Sequence, residues 1–185
     1  MFGHYQGNVV SLRFIERAVA APRGQEVIVR VKAAALNFRD VEIVRGTYHT
    51  NFSCPLVPLS DGVGEAVAIG EDATRVKIGN RVCRTFWQRW IGGTFDRAEA
   101  PYQLGGPIDG MLAEYTHLDE QGVVHAPDHL SDVEAATLPC AAVAAWHALM
   151  TEGGLKPGET VLSLGTGGVS LFALQFAVLG GARLL

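Results

Sequence analysis

Positive charge is in short supply in this chain. Fifteen Lys and Arg stand against nineteen Asp and Glu, a formal charge of −4 at pH 7. Neutralising the phosphates of a nucleic acid needs a cationic excess, so no nucleic acid is expected as partner. Cysteine is scarce as well. Cys54, Cys83 and Cys140 are isolated and odd in number, which reads as reduced thiols in a cytoplasmic protein and not as a disulfide frame. Long apolar runs are missing, each being broken by Gly, Pro or charge, so no segment is expected to span a bilayer. The opening MFGHYQGN has neither the basic cluster nor the apolar stretch of a signal peptide.

What is abundant points to a packed, turn-rich fold. Hydrophobic residues make up 48% and charged ones 18% of 185 residues, enough to bury a core. The 22 glycines exceed the usual share of roughly 7% and mark turns, bulges and close backbone approach to a ligand. The length holds one domain and a fraction of another.

Gln25–Lys32 alternates, with Val27, Val29 and Val31 on one face, and predicts a strand. Gly64–Ile69 predicts another. Gly70–Cys83 reads as a loop, a tight Gly79-Asn80 turn and a further strand. Met111–Thr116 and Val123–His125 complete a set typical of an all-β barrel. The segment Phe86–Gly110 carries Trp87, Trp90, Phe95 and Tyr102 with little periodicity, and either lines a pocket or caps the barrel. Beyond Pro127, Ser131-Asp-Val-Glu134 is a capping box. An Ala-rich helical region runs on to Met150, broken or offset at Pro139 and closed by Gly153-Gly154. Thr160–Leu164 then predicts a buried strand, Leu171–Leu179 an apolar helix, and Ala182–Leu185 the opening of a second strand.

Between that strand and helix lies Gly165-Thr166-Gly167-Gly168-Val169-Ser170. Its layout is the Rossmann strand–turn–helix: one Gly permits the tight turn and a second lets a pyrophosphate approach the backbone. The helix start then offers free N–H groups and a positive dipole end to the anion. Ser170 takes the place of the third Gly and is small enough for close helix–strand packing. The acid or Arg that would choose NAD or NADP falls roughly 20 residues past the turn, so the coenzyme stays undecided between the two.

Five separated segments fall in order: Ala35-Leu-Asn37-Phe-Arg39-Asp40, Pro58-Leu-Ser60-Asp61-Gly-Val-Gly-Glu65, the Gly70–Val82 hairpin, Ala136–Leu149 with Cys140 and Trp146-His147, and Gly165–Ser170. Together they resemble the medium-chain dehydrogenase/reductase superfamily, on its quinone-oxidoreductase-like and alcohol-dehydrogenase-like side. The resemblance implies a mainly β GroES-like barrel (1–126) carrying the substrate site. A connecting helical region (127–155) and the first β-α unit of a Rossmann coenzyme domain (156–185), truncated, would follow. It implies an NAD(P)(H)-dependent oxidoreductase moving hydride to or from a small carbonyl, enone, quinone or alcohol; a homo-oligomer, a dimer, is expected as well. The 185-residue chain alone is expected to be incomplete and to turn over poorly. The rival reading is a non-catalytic binding or assembly module derived from such an enzyme.

The zinc-bearing branch places a Cys where this chain has Asn37 and a His-Glu pair at Ser60-Asp61. Catalytic zinc needs three good protein ligands; with two positions lost and only Cys140 matching a third, no zinc is expected. Cys140 then reads as a small buried apolar residue. The segment Arg84–Gly110 contains no cysteine for a structural zinc. Without a metal, hydrogen-bond donors must stabilise the developing alkoxide or enolate. The resemblance nominates Asn37 (nicotinamide ribose or substrate), Tyr48 (substrate oxygen), Ser60 and Asp40, the last organising the loop or touching substrate. Arg39 either neutralises coenzyme phosphate or is a surface charge. His49, beside Tyr48, is either a proton donor or a solvated loop residue.

Overall fold

Val27 and Val29, on the alternating face of the first expected strand, are fully buried in an interior strand of a five-stranded antiparallel sheet. The structure is a computed structural model and describes residues 2–6, 9–48 and 52–185. By its internal contacts it divides into two units, Met1–Thr137 and Leu138–Leu185. The division falls inside the 127–155 segment expected to connect the domains.

In the first unit, strands β1 (Phe2–Gln6) and β2 (Val9–Arg13) form a hairpin. The main sheet contains β3 (Glu26–Ala35), β4 (Asp61–Ile69), β5 (Arg81–Arg84), β6 (Tyr115–Asp119) and β7 (Val123–His125), in the order β6-β3-β4-β5-β7. Its core joins Val27, Val29, Ala66, Val76, Val82, Leu104, Leu118 and Val123, each Val or Leu side chain contributing about 1.5–3 kcal/mol when buried. The expected strands are recovered with one displacement. Residues 111–114 are bends and pairing begins only at Tyr115, which faces Arg30. Met111 instead donates its amide to Leu59 O at 2.9 Å. Its backbone is used for a loop contact before the ladder starts.

Among its described residues this unit has two short α-helices, α1 (Phe38–Arg45) and α2 (Asp132–Ala135), besides 3-10 turns at Arg97–Tyr102 and Glu120–Gly122. The capping box of α2 forms as expected, Glu134 Oε2 accepting from the Ser131 amide at 2.9 Å and from its hydroxyl at 2.7 Å. Arg81 ties this helix to β5, donating to Asp132 Oδ1 and to the carbonyls of Pro127 and Leu130. Below it Ala135 and Ala136 pack with Val63, Cys83 and Ala126.

In the second unit the helical chain is not broken at Pro139. Wide π-type turns at Leu138–Ala142 and His147–Glu152 flank α3 (Val143–Trp146). A proline cannot donate the usual helical bond, and a π-turn takes up the missing bond without ending the helix. Strand β8 (Thr160–Val161), helix α4 (Gly168–Leu179) and strand β9 (Arg183–Leu184) follow, the two strands pairing in parallel. The strand expected over 160–164 is shorter because its one partner is two residues long. Trp146 meets Phe176 edge-on at 5.4 Å. Among the described residues no helix is long and apolar enough to cross a membrane.

Candidate active site

Helix α1, which hydrophobic periodicity does not announce, positions the candidate site. Asn37 is its N-cap, and its amide donates to Asp40 Oδ2 at 2.8 Å. This local exchange fixes both side chains at the helix start, where an acid is also favoured by the helix dipole. Gly46 closes the helix in the left-handed region.

From β4 and β5 a second set of polar groups meets the helix start. The Asn37 side-chain nitrogen donates to Asp61 Oδ2 at 2.9 Å, and Ser60 Oγ donates to Asp61 Oδ1 at 3.4 Å. Arg84 donates to the Ser60 carbonyl at 2.9 Å. Asp40, Ser60, Asp61 and Arg84 are each at most 3% exposed. With Arg39, also buried, they make a set of two cations and two carboxylates. Burial pushes the Asp40 carboxyl above its usual range, opposed by the Asn37 amide, Arg39, the Ser60 amide and Arg84. Burial likewise pulls the Arg84 guanidinium well below its usual value, opposed by Asp61 and Asp40. A guanidinium starts so high that it keeps its proton at neutral pH.

Leu59, just before this set, holds a φ of +73° although it is not glycine. Such a conformation costs on the order of 1–3 kcal/mol and persists only where the surroundings impose it. The 110–112 backbone does so, through Gly110 N to Val57 O at 2.7 Å, Met111 N to Leu59 O and Leu112 N to Pro58 O. A Cβ on Gly110 would lie 2.0 Å from Leu59 O, so only glycine permits this approach. The strained turn directs Ser60 and Asp61 inward.

Tyr48, half-buried, joins the site through Arg39. The guanidinium carbon lies 4.8 Å from the Tyr48 ring centroid and 4.8 Å from that of Phe86. Nη1 donates to Leu104 O at 3.0 Å and Nη2 to Gly106 O at 3.2 Å. Arg39 is therefore neither a surface charge nor a group held ready for coenzyme phosphate, because its donors are committed to the protein. The aromatic segment after Phe86 packs on itself, Trp87 with Phe95 at 4.5 Å and Trp90 with Phe95 at 5.6 Å. Arg89 covers Tyr102.

The structure thus brings Asn37, Asp40 and Ser60 into one network and links Tyr48 to it through Arg39. Asn37 and Tyr48 retain surface; Asp40 and Ser60 do not. His49 lies outside the described residues. Cys140, expected to be buried, is half-buried in the π-turn of the second unit. Cys83, by contrast, is buried, and burial pushes its thiol up to about 11. Among the described residues no three His, Cys, Asp or Glu are grouped to hold a metal ion. Sequence reasoning missed Arg84 and the inner role of Asp61. Their signal is charge inside otherwise apolar strand segments, Val82-Cys83-Arg84 and Asp61-Gly-Val63.

In the second unit Gly165 has φ +83°, and Gly167 caps α4. The first α-helical bond runs from Leu171 N to Gly167 O, so the amides of Gly168, Val169 and Ser170 precede it. Thr166 and Val169 are exposed. Ser170 Oγ donates to Leu164 O at 3.0 Å, pinning the helix to the end of the strand segment.

Comparison with known proteins places this arrangement. Residues 23–128 match the alcohol dehydrogenase GroES-like domain. A zinc-type alcohol dehydrogenase-like protein of Schizosaccharomyces pombe is 46% identical over 160 residues, covering 85% of this chain and 46% of the relative. An alcohol dehydrogenase of Geobacillus stearothermophilus is 35% identical over 159 residues, 82% of this chain and 47% of the relative. The solved structure of a putative alcohol dehydrogenase from Sinorhizobium meliloti 1021 superimposes with a TM-score of 0.91 at 38% identity, over 99% of this chain and 55% of that one. A quinone oxidoreductase of Pseudomonas syringae gives 0.73 at 32%, over 93% of this chain and 47% of that one. The chain belongs to the medium-chain dehydrogenase/reductase superfamily through its alcohol dehydrogenase GroES-like domain. It spans about half the length of the curated relatives it matches.

Proposed function

We propose that this chain serves a zinc-independent, NAD(P)(H)-dependent oxidoreductase acting on a small carbonyl, enone, quinone or alcohol. The observation that carries the reading is the commitment of the would-be ligand positions. The Asn37 side-chain nitrogen is held by Asp61, and Ser60 Oγ, fully buried, also serves Asp61. Amide and hydroxyl are poor zinc ligands, and these two are engaged by Asp61, so the chemistry we propose needs no metal. A coenzyme fits better. The amides of Gly168, Val169 and Ser170 form a helix start suited to a pyrophosphate, with Gly165, Thr166 and Gly167 exposed beside them.

When bound, the nicotinamide supplies or accepts the hydride. Tyr48 donates a hydrogen bond to the substrate oxygen and stabilises the charge that develops there. Asn37, held on one side by Asp61, orients the substrate or the nicotinamide ribose. Asp40 and Ser60 act from inside by fixing Asn37 and Asp61. A cytoplasmic homodimer is part of the same reading, its cytoplasmic half resting on three isolated, odd-numbered cysteines in the sequence.

The test is elemental analysis of the full-length gene product purified without chelators, alongside turnover with NADH and NADPH on an enone and a quinone. Substoichiometric zinc with coenzyme-dependent turnover is expected. One tightly held zinc per chain overturns the metal-free part.

A further inference from the structure

We infer that Arg39 is a positioning residue for Tyr48, a buried guanidinium that sets the phenol as hydrogen-bond donor toward the substrate oxygen. The inference rests on the Tyr48 role proposed above and adds what makes that role possible. Arg39 follows Asn37 by two residues and is buried, 9% exposed, whereas Tyr48 keeps surface. Its fork is held at both ends, by Leu104 O at 3.0 Å and Gly106 O at 3.2 Å. Because a guanidinium is planar, fixing the two terminal nitrogens also fixes Nε. That third nitrogen lies 3.4 Å from Tyr48 Oη.

The direction of this contact matters. Guanidinium nitrogens only donate, so Tyr48 Oη is the acceptor. A carbonyl oxygen only accepts, so Tyr48 meets it through its O–H while Arg39 Nε occupies one of the phenol's lone pairs. The ring is fixed in the same way. Phe86 and Tyr48 bracket the guanidinium at equal distance, and a cation withdrawn from water binds aromatic faces more strongly than an exposed one. Asp40 Oδ1, 3.8 Å from Nη1, balances the charge. A lysine here would bring one point charge in place of three placed donors.

The experiment is a double-mutant cycle in the full-length gene product, read as kcat and KM separately. Tyr48→Phe is expected to lower kcat about 100-fold. Arg39→Lys should lower it about tenfold with KM nearly unchanged, and Arg39→Lys/Tyr48→Phe should be no slower than Tyr48→Phe alone. A second readout needs no turnover: with 3-fluorotyrosine incorporated, the fluorine resonance assigned by Tyr48→Phe should move in Arg39→Lys while the remaining tyrosine resonances stay. If Arg39→Lys does not fold, Phe86→Leu removes one face of the bracket, leaves every charge in place, and should move the same resonance. Additive losses in the cycle, or an unmoved Tyr48 resonance, overturn the Arg39 assignment and leave the Tyr48 role standing. Wild-type kcat in Tyr48→Phe overturns both.

Discussion

Gly165 and Gly167 stand two residues apart in one turn, and a side chain would do different harm at each. At Gly165 the φ of +83° penalises any L side chain, so Gly165→Ala should destabilise the protein by about 1–2 kcal/mol in urea unfolding. Gly167 has an ordinary φ of −74°, and a Cβ there meets nothing within 4 Å. Gly167→Val should therefore cost no more than about 1 kcal/mol of stability, the loss of a glycine N-cap, yet weaken NADH and NADPH binding at least about tenfold, because the side chain fills the approach to the backbone. Unchanged calorimetric titrations of the full-length gene product would count against the coenzyme turn. At this scale the glycine turn is visible in one dimension through residue type and spacing, whereas Asn37 was nominated only by the family resemblance. Arg39 and Arg84 were not legible. Whether an arginine is solvated or bracketed by rings and carbonyls depends on contacts such as Leu104 and Gly106, more than sixty residues away.

Helix α2 owes its start to one reciprocal contact, and that contact titrates. The Ser131 side chain and then its amide hold the Glu134 carboxyl below the usual 4.5. A carboxylate with a depressed folded pKa binds its proton less readily when folded than when unfolded. Its stabilisation is present above the unfolded value and is lost as pH falls through the folded one. Ser131→Ala should lower the unfolding midpoint by about 2–4 °C near pH 7, and the gap from wild type should narrow below about pH 4.5. Parallel midpoint-against-pH curves for the two proteins would rule the contact out as the cause. The box was readable because both its halves lie within four residues. Helix α1 has a similar signal in Asn37 and Asp40, but eight residues give too little periodicity to separate it from a loop. The late start of β6 was hidden for another reason: the 111–114 backbone is drawn aside by Leu59, a contact that alternation cannot encode.

Across the whole molecule, apolar side chains stay uncovered on the second unit: Leu164 is 82%, Leu179 80% and Leu185 77% exposed. Surface of this kind drives association. The 185-residue chain, 19.8 kDa, should elute in light scattering as a dimer or larger species. A monodisperse monomer would overturn this expectation. Element order and the parallel β8–α4–β9 unit were legible because glycine punctuation and apolar runs are local. The split after Thr137 was not, since a helical segment looks alike on either side of it. The buried set of Arg39, Asp40, Asp61 and Arg84 bears on how such a protein can change over generations. Losing one member strands its opposite charge away from water, a penalty of about 3–5 kcal/mol against a total stability of roughly 5–15 kcal/mol. Exposed neighbours such as Leu36 and Phe38 can drift singly, whereas the charges behind them can be exchanged only in compensating pairs.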